Sequence, residues 1–182
     1  MHREMELLYQ EANLAGISVV EDEIRWLSET RSRLRGEAMK AVERAMDESN
    51  QNDIWCGLQV FYNLGEFRSS VDTLVSKYKG VGVYSVGAAL DMKAISTSSG
   101  GFGPGGVQTS GTPQVGGGKR AAEACMDELH KVVPAVWHLQ TVLSKKRVPF
   151  KQVLFLHEVW QEGDPLLTDQ IWEALVKAFA SQ

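Results

Sequence analysis

The sequence predicts an all-α fold, an elongated helical bundle of about five helices interrupted by a disordered Gly-rich loop. Three observations point there. Apolar residues recur three or four apart over long stretches on both sides of the chain's centre, the spacing that puts them on one face of a helix. Helix start and stop residues flank those stretches. A single tract between them, Thr97–Gly118, holds nine of the 17 glycines and no charged residue. Val81, Val83 and Val86 read alone would fit a short strand, but no other segment offers that strand a partner.

The first helix is expected from Ser18 to Asp47. Ser18 with Glu21 forms a capping-box pattern, and Asp22 and Glu23 add negative charge where the helix dipole favours it. Val20, Ile24, Leu27, Leu34, Ala38, Ala41 and Ala45 then keep the rhythm, broken only at Arg31. Such a helix is about 45 Å long at roughly 1.5 Å per residue. Glu29 and Glu37 lie near enough to Arg31, Arg33 and Arg35 to pair along a solvated face.

A second helix is expected from about Asp53 through Ala94, with Asn52 and Asp53 offering side-chain acceptors to its first turn. Its stripe runs through Leu58, Phe61 and Leu64 and on into Val71, Leu74, Val75 and Tyr78. Gly80, Gly82 and Gly87 weaken its far end, each at about 1 kcal/mol relative to alanine.

The glycine tract is too poor in apolar residues to offset its ordering entropy. As a coil, its ends lie roughly 26 Å apart, which lets the flanking helices pack side by side. The expected organisation is therefore an N-terminal helical block over 1–96, a flexible Gly/Ser/Pro-rich linker over 97–118, and a C-terminal block over 119–182 that packs with the first as one partial domain.

Beyond the tract, Ala122, Cys125, Leu129, Val132, Val136, Leu139 and Leu143 define a third helix, with a kink expected at Pro134. Lys145-Lys146-Arg147 followed by Val148-Pro149 closes it near Arg147, since positive charge suits a helix C-terminus and the residue before proline avoids helix. A shorter helix is expected around Phe150–Gln161, with Gly163 as its left-handed cap. Asp164 and Pro165 open the last one, whose stripe is Leu167, Ile171, Leu175 and Phe179, with Trp172 beside it. Its stop at Gln182 reads as a truncation.

The run Gly57-Leu58-Gln59-Val60-Phe61-Tyr62-Asn63-Leu64-Gly65 resembles the fifth-subunit family of the conserved oligomeric Golgi complex, a vesicle-tethering assembly. The likeness extends upstream through Leu14–Glu21 and downstream through Ala89–Lys93. It returns as Trp137-His138-Leu139-Gln140, Val142–Arg147, Pro149 and Trp172–Phe179. In order and spacing these pieces are similar to one continuous middle portion of that subunit, and the glycine-rich insert to its plant-like form. The resemblance implies a non-catalytic tethering subunit in intra-Golgi retrograde transport, which maintains glycosylation enzymes in their cisternae. It implies a peripheral position on the cytosolic face of the Golgi membrane and partnership with the other subunits, above all the seventh. It also implies packing or partner contact for Leu58, Phe61, Tyr62, Leu64, Trp137, His138, Leu139 and Leu143.

Chemistry is scarce elsewhere. A net charge of −4 lacks the basic stripe of a nucleic-acid binder, and no window reaches the roughly 20 consecutive apolar residues of a membrane span. Lys145–Arg147 is a helix ending that at most assists contact with anionic lipid. Cys56 and Cys125 have no metal-binding spacing and read as free thiols. Gly101–Gly106 fits a dinucleotide pattern only formally, having Pro104 inside it and no strand before it. Around Gly116-Gly117-Gly118-Lys119 a phosphate loop fails at Pro113 and Arg120, and His157-Glu158 lacks a second histidine at Gln161. No cofactor, metal or catalytic residue is assigned. The competing reading is a small helical ligand-binding protein or enzyme, its pocket built from Trp26, Tyr62, Trp137 and the histidines His130, His138 and His157.

Overall fold

The computed structural model describes residues 11, 17–91, 117–148, 151–160 and 164–181. Among them the chain is all-α, with six helices: α1 Ser18–Asp47, α2 Gln51–Leu64, α3 Phe67–Leu90, α4 Gly117–Lys145, α5 Phe155–Val159 and α6 Leu167–Ala180. The glycine tract lies outside the described residues apart from Gly117 and Gly118, which begin α4. So do Ala94, Pro149, Phe150, Gln161 and Gly163.

α1 has the expected bounds but a different cap. Ser18 is already helical, Ile17 precedes it, and the Ile17 carbonyl accepts from Val20 and Glu21; no side chain caps this end. At its other end Ser49 takes a left-handed φ of 59°, the Asn50 amide donates to the Ala45 carbonyl, and the Asn50 side chain caps α2 through Asn52 and Asp53. One residue thus closes α1 and opens α2, two to three positions earlier than Asn52 and Asp53 indicate.

The long second helix of the sequence reading is two helices. Gly65 sits at φ 72°, its amide donating to the Tyr62 carbonyl and that of Glu66 to Phe61, the paired bonds of a Schellman ending. The break escapes the apolar rhythm because Leu64, Phe67 and Val71 keep three-four spacing across it. This split accounts for six helices among the described residues where the sequence reading expects five.

A continuous core draws on every helix, with Val42, Met46, Ile54, Leu58, Phe61, Val71, Leu74, Val86, Leu139, Leu143 and Phe155 among its most enclosed side chains. α2 packs mainly on α1, and α3 mainly on α4 and α6. The Tyr78 hydroxyl ties α3 to α1 by donating to Asp47 Oδ1 at 2.8 Å, and burial, followed by that bond, pushes its pKa up. α4 runs helical through Pro134, an exposed residue that has no amide to offer the His130 carbonyl.

α3 stays helical through Gly80, Gly82 and Gly87. Only Gly82 has a packing reason, because a Cβ there would lie 3.0 Å from Leu175 and 3.7 Å from Leu129 and Val132. Nothing lies within 4 Å of a Cβ at Gly80 or Gly87. Gly80→Ala and Gly87→Ala are each expected to raise stability by about 0.5–1 kcal/mol, seen as a higher urea midpoint with an unchanged slope. A loss in either would show that these helix positions are not open.

The expected helix around Phe150–Gln161 shrinks to the five residues of α5. Arg147 and Leu154 form an antiparallel bridge, the Val148 amide donates to the Val153 carbonyl, and Gln152 adopts a left-handed φ of 57°, so residues 147–148 and 151–154 face each other across a reversal instead of forming helix. Likewise α6 starts at Leu167 rather than at Asp164. Its first-turn Thr168 donates through both its amide and its hydroxyl to Gln140 Oε1 of α4, each at 3.1 Å.

Candidate partner interface

Burial divides the residues that carry the resemblance. Leu58, Phe61, Leu139 and Leu143 are enclosed in the core and have no surface to offer. Leu64 is half-buried at the end of α2. Tyr62 is half-buried too, edge-on to Phe67 and Phe155 at 6.1 Å each, with the Lys151 ammonium 5.5 Å from its ring centre. The stacked pair Phe67–Phe155, at 4.9 Å, completes that cluster.

Trp137 and His138 are sequence neighbours with opposite surroundings. His138 turns toward α2, where the Gln51 amide nitrogen donates to its Nδ1 at 3.1 Å, while Trp137 is 51% exposed on the other flank of α4. Trp137 is not alone. Met126 and Val133 precede it at intervals of seven and four, and on α6 Trp172, Val176 and Phe179 repeat at four and three; all six are between 46 and 68% exposed.

The two stripes border one seam. Gln140 of α4 meets Thr168 at the start of α6, whereas Leu129 and Val132, earlier in α4, share the surroundings of Gly82 with Leu175, further along α6. The helices are therefore antiparallel. Trp172, Val176 and Phe179 follow Thr168 at steps of four, four and three, and so share its α4-facing edge; Trp137, Val133 and Met126 precede Gln140 at steps of three, four and seven along its α6-facing edge. An apolar band rich in tryptophan, open to solvent, is the composition found at the centre of protein–protein contacts rather than on idle surface. The resemblance pointed to Trp137 on this band. The likeness also runs through Trp172–Phe179, but periodicity sets Phe179 on the buried stripe with Trp172 beside it and passes over Val176, since which edge faces outward depends on the partners α6 acquires in three dimensions.

The residues of the competing pocket do not come together. Trp26 is exposed on α1, Tyr62 belongs to the aromatic cluster, His130 is exposed on α4, His138 bonds Gln51, and His157 is exposed on α5. A half-open cleft of about 320 Å³, bordered by Arg68, Asp72, Lys79, Trp160 and Gln170, contains none of them. Among the described residues no three metal-binding side chains cluster, and no helix is long and apolar enough to cross a membrane. Cys125 is buried, which pushes its thiol pKa up, away from reactivity; Cys56 is exposed on α2.

Comparison with known proteins assigns this helical surface to a family. Residues 14–182 match the family described as conserved oligomeric Golgi complex subunit 5, C-terminal. The Arabidopsis thaliana protein of the name conserved oligomeric Golgi complex subunit 5 is 54% identical over 189 residues, covering 100% of this chain and 23% of that protein. Its Mus musculus namesake is 30% identical over 185 residues, covering 98% of this chain and 22% of that protein. The chain thus spans less than a quarter of the length of these relatives. No solved structure matches it. With a family match running over nearly its whole length, the chain belongs to the family of conserved oligomeric Golgi complex subunit 5.

Proposed function

We propose that the chain is a non-catalytic part of a vesicle-tethering subunit that acts in intra-Golgi retrograde transport, from the cytosolic face of the Golgi membrane. Its task is mechanical: it gives a helix of a sister subunit, above all the seventh, a surface on which to pack. The observation that carries this reading is the band of Met126, Val133, Trp137, Trp172, Val176 and Phe179 along the α4–α6 seam. A partner helix laid there covers two tryptophans, the residue type whose truncation most often costs an interface 2 kcal/mol or more, about 30-fold in affinity. Membership of a family named for a subunit of a complex supports the same conclusion.

The test uses the full-length subunit with Trp137→Glu and Trp172→Glu. Both side chains are exposed, so the thermal midpoint is expected to stay within a few degrees of the parent's, while recovery of sister subunits on co-purification from cells falls at least about tenfold. Undiminished recovery of the seventh and other subunits with a folded double variant would remove this band from the interface. A parent protein that never enriches any sister subunit would defeat the functional reading itself.

A further inference from the structure

α1 is divided by burial. From Ala38 onward it contributes Ala38, Val42, Ala45 and Met46 to the core, whereas no residue from Ile17 to Glu37 is buried. Gly36 stands at the boundary. A Cβ there would meet nothing within 4 Å, so packing does not require a glycine, and glycine is a poor mid-helix residue and a recurrent site of helix bending.

On the arm side of that glycine, two arginines converge on one carboxylate. Arg31 Nη2 lies 2.9 Å from Glu66 Oε1, and Arg35 Nε lies 3.1 Å from Glu66 Oε2. Arg31 Nη2 also donates to the carbonyl of Leu64, 2.9 Å away, one of the acceptors left open at the end of α2. Glu66 is held in place by the Gly65 turn, with its amide bonded to Phe61 and its carbonyl accepting from the Ser70 amide. The carboxylate is thus fixed to the bundle, and the arginines to the arm. The closure is imperfect: Arg31 Nε is buried without a partner, a desolvated donor that regains water when the contact opens.

We propose that Glu66 is a clasp that sets the direction of the Ile17–Arg35 arm relative to the bundle, with Gly36 as the pivot it restrains. Charge-assisted bonds to a shielded carboxylate hold the closed state, and the unpaired Arg31 donor together with the glycine keeps the open state within reach.

Spin labels on the chain at Ser28→Cys in the arm and Thr73→Cys on α3, both exposed positions, in a Cys56→Ser background, report the arm's direction by electron–electron distance measurement. The parent is expected to give one narrow distribution. Glu66→Gln is expected to broaden it, raising the released population about tenfold. About 1 M salt, with a screening length near 3 Å, shifts it the same way. Adding Gly36→Ala to Glu66→Gln stiffens the pivot and narrows the distribution again. Arg35→Gln, which leaves both Arg31 contacts intact, produces a smaller broadening and serves if Glu66→Gln loses its helical circular dichroism. A folded variant of either kind whose distribution superimposes on the parent's overturns the proposal, as does a parent that is already broad.

Discussion

Replacing Phe155 with alanine is expected to remove about 3–5 kcal/mol of stability, the range for deleting a fully enclosed phenylalanine and leaving its cavity. The ring is completely buried, stacks on Phe67 at 4.9 Å and meets the edge of Tyr62. Its role is larger than its volume. α5 is only five residues long, far below the length at which a helix persists unaided, so it is folded because Phe155 and Val159 are buried. The preceding reversal hangs on the same anchor, since the Phe155 amide donates to the Lys146 carbonyl at 3.1 Å. Urea unfolding measures the total, and hydrogen exchange should show residues 151–159 losing protection first. A loss under about 1 kcal/mol would mean that the aromatic cluster does not hold this segment.

Gly57→Ala is expected to destabilise by about 1 kcal/mol net, although alanine is the better helix former. The reason is the approach of α1. A Cβ on Gly57 would fall well inside contact distance of Val42 Cγ2 and 3.7 Å from the Ala38 carbonyl, in a part of the core where Val42 is fully enclosed. Overpacking of that kind typically costs 1–3 kcal/mol, more than the ~0.5–1 kcal/mol that propensity returns. Val42→Ala alone should cost stability by leaving a cavity, yet combined with Gly57→Ala it should cost less than the two added, because each relieves the other. Strict additivity in that double-mutant cycle would place the close approach elsewhere. The contrast with Gly80 and Gly87 is instructive, since one substitution in two neighbouring helices changes sign with what stands opposite.

That contrast also marks what sequence can carry. The bounds of α1 and the buried Leu167, Ile171 and Leu175 of α6 were readable because periodicity is local, whereas Phe179, read on the same stripe, is exposed and Ser18 is not the cap. The break at Gly65 was readable in principle, as a glycine directly after a periodic residue, but the phase preserved from Leu64 to Phe67 hid it. Gly57 and Gly82 carry no local sign of why they are glycine, since the reasons are Val42 on α1 and Leu175 on α6, 15 and 93 positions away. For the interface, the resemblance pointed to eight residues without separating core from surface. Periodicity could not do so either, because α4 buries more than one of its faces: Leu139 faces the core, His138 faces α2 and Trp137 faces solvent.

The Gln140–Thr168 contact bears on recognition as well as on folding. By accepting two bonds at the first turn of α6, a side chain of α4 indexes the rotation of one helix against the other. In the docking proposed above, Trp137 and Trp172 would meet an incoming helix already aligned, with little rotational freedom left to surrender. A glutamine with no exposed role of its own acts in this way as the key that keeps two separate ridges in register.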